Sequence, residues 1–80
     1  MDNLKKLIDK ELEELSFKVF EISYKKGKPN KLDIALEGED SFNIDKIVSA
    51  TKIINPIVEE NFKKSESYVL DVYGKENNYE

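Results

Sequence analysis

Lys25, Lys26, Lys28 and Lys31 crowd one short stretch, spaced by Gly27, Pro29 and Asn30. Long cationic side chains around a turn can reach phosphates and release their counterions, which is the chemistry of RNA or DNA binding. A turn in water is polar in any case, so the same lysines would also serve only to keep a Gly-Lys-Pro-Asn loop soluble. Tyr24 lies beside them and could stack on a base. Its phase with Phe20 and Ile22 points instead to partial burial against the core. A second group, Glu37, Glu39, Asp40 and Asp45, follows within twenty residues. Carboxylates alone suit a hard cation, but the Asp-x-Asp-x-Asp-Gly register and closing Glu of a calcium loop are missing. These four acids read as a solvated surface, or as one that faces a basic protein.

Other chemistries lose their parts. The chain has no cysteine and no histidine, and all 13 basic residues are lysine. Disulfides, thiolate metal sites, the near-neutral general base and the guanidinium fork for phosphate and guanine are therefore excluded. Glu13-Glu14 and Glu59-Glu60 are adjacent on helices and diverge, so neither is an acid/base dyad. Ser41, Ser49, Thr51, Ser65 and Ser67 have no imidazole to activate them. Three glycines, Gly27, Gly38 and Gly74, make neither a phosphate loop nor a dinucleotide fingerprint nor a GxxG clamp. The expectation is a binding protein, not an enzyme, with no cofactor, no metal and no small-molecule substrate. The net charge of −4 is uneven, since residues 18–31 hold five lysines against Glu21 alone. Met1 to Lys6 never build the apolar run of a signal peptide or spanning helix, so no membrane is implied and the cytoplasm is the expected location.

The elements that carry these residues follow from periodicity. Leu4, Leu7, Ile8, Leu12 and Leu15 share a helical face, which predicts an amphipathic helix over 3–15 capped by Asp2 or Asn3. At Ser16 the period changes to two. Phe20, Ile22 and Tyr24 alternate with Val19, Glu21 and Ser23 as a first strand, and residues 25–31 supply hairpin turn chemistry. Leu32, Ile34 and Leu36 alternate with Asp33, Ala35 and Glu37 as a second strand. Asn43 is placed to cap a second helix running through Ile44, Ile47, Val48, Thr51, Ile54, Val58 and Phe62, with Asp45 favouring its dipole and Pro56 kinking it. Residues 63–67 form a loop, and Tyr68, Leu70 and Val72 a third strand. The sum is one α+β domain over 1–74, a two-layer αββαβ sandwich whose three-stranded sheet has both helices packed on one face, with 75–80 as a flexible tail. Strand 1, apolar on both sides, is expected in the middle.

The ordered pieces resemble a known family. The run Leu12-Glu13-Glu14-Leu15-Ser16-Phe17-Lys18-Val19-Phe20-Glu21-Ile22-Ser23-Tyr24 resembles the opening of the ribosome maturation factor RimP, in which a helix ending in leucine passes through a glycine and an aromatic into an alternating strand. Lys31 to Leu36 resemble that family's second strand. Phe42-Asn43-Ile44-Asp45-Lys46-Ile47-Val48-Ser49 is similar to its second helix start, and Tyr68-Val69-Leu70-Asp71-Val72 to its third strand. Ser16 stands where the family has glycine, Tyr73-Gly74-Lys75 where it has Ser-Ser-Pro-Gly, and the family's C-terminal SH3-like barrel has no counterpart in these 80 residues. The resemblance implies the family's N-terminal αββαβ domain, a cytoplasmic assembly factor that binds the maturing small ribosomal subunit. Lys25, Lys26, Lys28 and Lys31 would then face ribosomal RNA, and Glu37, Glu39, Asp40 and Asp45 a basic ribosomal protein; those roles come from charge. The alternative is a protein-interaction module unrelated to the ribosome, which binds a partner strand along the exposed edge of strand 2 or 3.

Overall fold

Apolar residues at helical spacing, then at strand spacing, must bury one stripe and one face against each other, and the protein does so in two layers. The computed structural model describes residues 2–64 and 66–75. The elements run α1 (Asp2–Glu11), a short 3-10 turn (Glu13–Leu15), β1 (Lys18–Lys25), β2 (Lys31–Glu37), α2 (Ile44–Asn61) and β3 (Val69–Gly74). The core joins Leu4, Ile8 and Leu12 to Ala50, Ile54 and Val58 of α2 and to Val19, Leu32, Ile34 and Leu36 of the sheet. Burial of a side chain of this size is worth about 1.5–3 kcal/mol, so these residues dominate the driving force.

The sheet order is β1-β2-β3, with β1 antiparallel and β3 parallel to β2. The expectation that strand 1 lies in the middle is thus corrected. β2 is central, and all five residues from Leu32 to Leu36 are buried. The misleading signal was Phe20. A β-bulge between Val19 and Glu21 inserts Phe20 as an extra residue in β1, so that Val19, Ile22 and Tyr24 face the helices. Phe20 is left 48% exposed. The apparent two-sided apolarity of β1 is this change of phase, not burial on both faces.

The helices also depart from the simplest reading. α1 closes at Glu11 and passes through the 3-10 turn to Ser16, which sits in the left-handed region at φ 60°. The helix already includes Asp2 and Asn3, so neither stands outside it as a cap. Leu7 is 42% exposed beside Ile53, Pro56 and Ile57 of α2. α2 starts where expected: the Asn43 side chain accepts from the Lys46 amide at 3.1 Å. It then runs through Pro56 to Asn61, with Lys52 and Pro56 both on its exposed side, where the Lys52 carbonyl that proline leaves unpaired can be solvated.

Two glycines fix one end of the sheet. Gly38, at φ 148°, lies so close to the Ser16–Phe17 backbone that a Cβ would come within 2.6 Å of the Ser16 carbonyl oxygen. A Cβ on Gly74 would overlap the carbonyl of Ser41. No helix among the described residues is long and apolar enough to cross a membrane. Of the expected tail, Lys75 is held against the body by Glu37 at 3.7 Å and lies over the Phe20 ring at 4.1 Å. Residues 76–80 lie outside the described residues.

Candidate nucleic-acid interface

Because β3 runs parallel to β2, the chain leaving α2 must return to the end of the sheet where β2 begins, which is the tip of the β1–β2 hairpin. Asn30 makes that junction. Its side-chain oxygen accepts from the Gly27 amide at 2.9 Å, its amide donates to the Ser67 carbonyl at 3.0 Å, and its own carbonyl accepts from the Val69 amide at 2.9 Å. A ring cluster closes it: Tyr24, Phe62 and Tyr68 meet pairwise with centroids 5.6–6.1 Å apart. The Tyr24 hydroxyl donates to Glu66 at 2.6 Å. Partial burial first, and then Glu66, push this phenol up to about 12, while the same hydrogen bond holds Glu66 below the usual carboxylate range.

Two loops therefore form one surface. Residues 25–31 bring Lys25, Lys26, Lys28 and Lys31, and residues 62–68 add Lys63 and Lys64, with Glu66 as the single acid of the two loops. The last two lysines are not part of the group read from sequence. The signal that would have found them is the parallel return of β3.

The six lysines differ in what holds them. Lys25 leans onto the helix-free face of the sheet and pairs with Asp33 at 3.1 Å, and that hydrogen bond raises its pKa. Asp33 is 6% exposed, and its Oδ1 has no hydrogen-bond partner among the described residues. Lys25 is therefore the counter-charge of a buried carboxylate, and its removal would leave that charge uncompensated. Lys26 approaches Glu66 at 3.7 Å and Lys31 approaches Asp71 at 3.8 Å. Pairs this loose and this exposed are worth about 0–1 kcal/mol and yield readily to another anion. Lys64 lies 4.6 Å over the Tyr24 ring, an arrangement that leaves its ammonium in reach of solvent. Lys28 and Lys63 are exposed and make no ion pair within the described residues.

The chain matches no protein-family model and no curated protein. The four acids read from sequence gather at the opposite end of the sheet, where β1 begins, β2 ends and α2 starts. Glu37, Glu39 and Asp40 line a shallow groove with Ser16, Lys18 and Gly38. Glu37 pairs with Lys75 at 3.7 Å and Asp40 with Lys46 at 2.7 Å. Glu39 and Asp45 are exposed with no cation at ion-pair distance among the described residues. Among those residues no three acids converge to hold a metal ion. α2 reinforces the polarity, since Asp45 stands at its N-terminus and Lys63 and Lys64 just beyond its C-terminus, each sign where the helix dipole favours it.

Proposed function

We propose that this chain is a non-enzymatic binding domain that acts in the cytoplasm on the maturing small ribosomal subunit, docking its lysine-bearing end on ribosomal RNA. The observation that carries the reading is the meeting of two loops, distant in sequence, at one end of the sheet, where they bring six lysines against Glu66 in the loops and Asp33 and Asp71 on the adjoining strands. Phosphate recognition without an arginine fork needs several point charges that approach one backbone together, and a single hairpin supplies fewer. The resemblance of residues 12–24, 31–36, 42–49 and 68–72 to the RimP family supplies the ribosomal context, and the acidic end would then face a basic ribosomal protein.

The test is affinity for small-subunit precursor RNA across a salt series. Each phosphate contact should contribute roughly −0.7 to −0.9 to the slope of log affinity against log salt. Replacing Lys28, Lys63 and Lys64 by glutamine should therefore flatten the slope by about 2 while leaving the fold intact. Binding that ignores salt, or that these substitutions leave unchanged, contradicts the reading.

A second reading rests on a different observation. β3 is an edge strand with no neighbour beyond it among the described residues, whereas β2 is central and cannot accept a strand. The alternative edge, β1, is interrupted by the Phe20 bulge, and the Asp9 carboxylate takes the Val19 amide at 2.7 Å. Strand addition would then fall to β3, and it would be insensitive to salt because it rests on backbone hydrogen bonds and apolar pockets.

A further inference from the structure

At the lysine-bearing end an anion is already bound, and the chain itself supplies it. The Glu66 carboxylate accepts from the Tyr24 hydroxyl at 2.6 Å through Oε2, and its Oε1 faces the Lys26 ammonium at 3.7 Å. Lys64, whose ammonium lies 4.6 Å over the Tyr24 ring, adds its charge to the pull on the same carboxylate. A hydroxyl donor and two cations converging on one anion are the donor set that a phosphate takes. Packing that Glu66 does not make holds this set in place: Phe62 and Tyr68 fix the Tyr24 ring, and the Asn30 bridge to Ser67 fixes the backbone beside it. Asp33 and Asp71, on the adjoining strands, project from the helix-free face, where they pair with Lys25 and Lys31. Glu66 belongs instead to the loop between α2 and β3, and its side chain is 35% exposed, so rotation about its own bonds empties the position without moving either loop.

We propose that the Tyr24 hydroxyl, Lys26 and Lys64 form a seat for one phosphate of the RNA backbone, and that Glu66 fills this seat as a built-in competitor until RNA displaces it. The inference rests on the RNA reading above and gives one phosphate of that contact its place. The apparent affinity of the chain is then reduced to the fraction of seats that stand empty. A free phosphate meets a tethered carboxylate at high effective concentration and fails to displace it. A phosphate backbone that also engages Lys28 and Lys63 succeeds, because its further contacts offset the loss of the Glu66 pairing. Glu66 thereby selects continuous phosphate chains over isolated anions.

The experiment compares the full chain with Glu66→Gln, which keeps an acceptor for the Tyr24 hydroxyl but removes the charge, and with Asp71→Asn, which removes an acid from the same end without touching the seat. Affinity for small-subunit precursor RNA, at one fixed salt concentration, should rise about three- to tenfold in Glu66→Gln and less than about twofold in Asp71→Asn. Inorganic phosphate, followed by amide and lysine side-chain chemical shifts, should perturb Tyr24, Lys26 and Lys64 in Glu66→Gln at concentrations that leave the unsubstituted chain unmoved. In that unsubstituted chain the Glu66 carboxyl, held below the usual carboxylate range when free, should lose that depression once RNA is bound, as read from its carboxyl carbon shift across pH. Equal gains in Asp71→Asn and Glu66→Gln, no phosphate response in Glu66→Gln, or a Glu66 titration that RNA leaves unchanged on binding would each overturn the proposal. The phosphate arm contains no RNA, so a response there without RNA binding at either loop overturns the RNA reading and upholds the anion seat.

Discussion

The two ends of the sheet are built by opposite means. At the hairpin end, loops meet through side chains: the Asn30 bridge, the Tyr24–Glu66 hydrogen bond and three tilted rings. At the α2 start, backbone meets backbone, with Gly38 against Ser16 and Gly74 against Ser41 and no room for a Cβ at either contact. The charges follow the same division. At the first end Lys26 and Lys31 rest in loose, replaceable pairs and Lys28 and Lys63 in none among the described residues, while at the second Glu37 and Asp40 are already paired with Lys75 and Lys46. The first end can adjust through its side chains, and the second is held by backbone contacts that leave no such room. The difference shows how 80 residues without histidine, cysteine or arginine can still present two unlike faces.

The comparison can be broken most severely at Gly74. Gly74→Ala drives a methyl into the Ser41 carbonyl, and backbone must shift to admit it, so unfolding titrations should show a loss of about 2–3 kcal/mol. At the other end Asn30→Ala removes two side-chain hydrogen bonds without a steric clash. A loss of about 1–2 kcal/mol is expected, with RNA affinity falling as the two lysine loops separate. Ser16 offers a gain. Its φ of 60° is one that glycine adopts freely, so Ser16→Gly should stabilise the protein by about 0.5–1 kcal/mol in the same assay. The smallest effect concerns pH. Tyr24 is raised from 10 to about 12 in the folded protein, so its contribution is complete below pH 10 and is lost as pH rises through 12. Tyr24→Phe should remove that alkaline decline, and a tyrosinate absorbance titration should lose its latest-ionising phenol.

Much of this architecture was legible in the residues. The period change at Ser16, the alternation from Leu32 to Leu36 and the Asn43 cap give helix, strands and helix in order, because local periodicity and capping chemistry suffice for each. Strand order was not legible. One inserted residue, Phe20, shifts the pleat and makes an edge strand look central, and no local pattern records a bulge. The lysine cluster was half legible for a related reason: Lys25, Lys26, Lys28 and Lys31 are neighbours in sequence, but Lys63 and Lys64 join them only through the parallel pairing of β3 with β2. Lys25 itself belongs with Asp33, a partner visible only once both are seen on one face of the sheet. The exposure of Ile44 and Val48 was hidden among residues that repeat at core spacing, since periodicity cannot tell a buried stripe from the exposed start of a helix.

The central claim is that the hairpin end, and not the α2 start, is where RNA docks. Amide chemical shifts recorded while a short single-stranded segment of small-subunit precursor RNA is added test it directly. Perturbations are expected over residues 25–31 and 62–69 that fade as salt rises, with Glu37 to Val48 unmoved. Shifts centred on Glu37 to Val48, or no salt-dependent shift at the lysine loops, would contradict it.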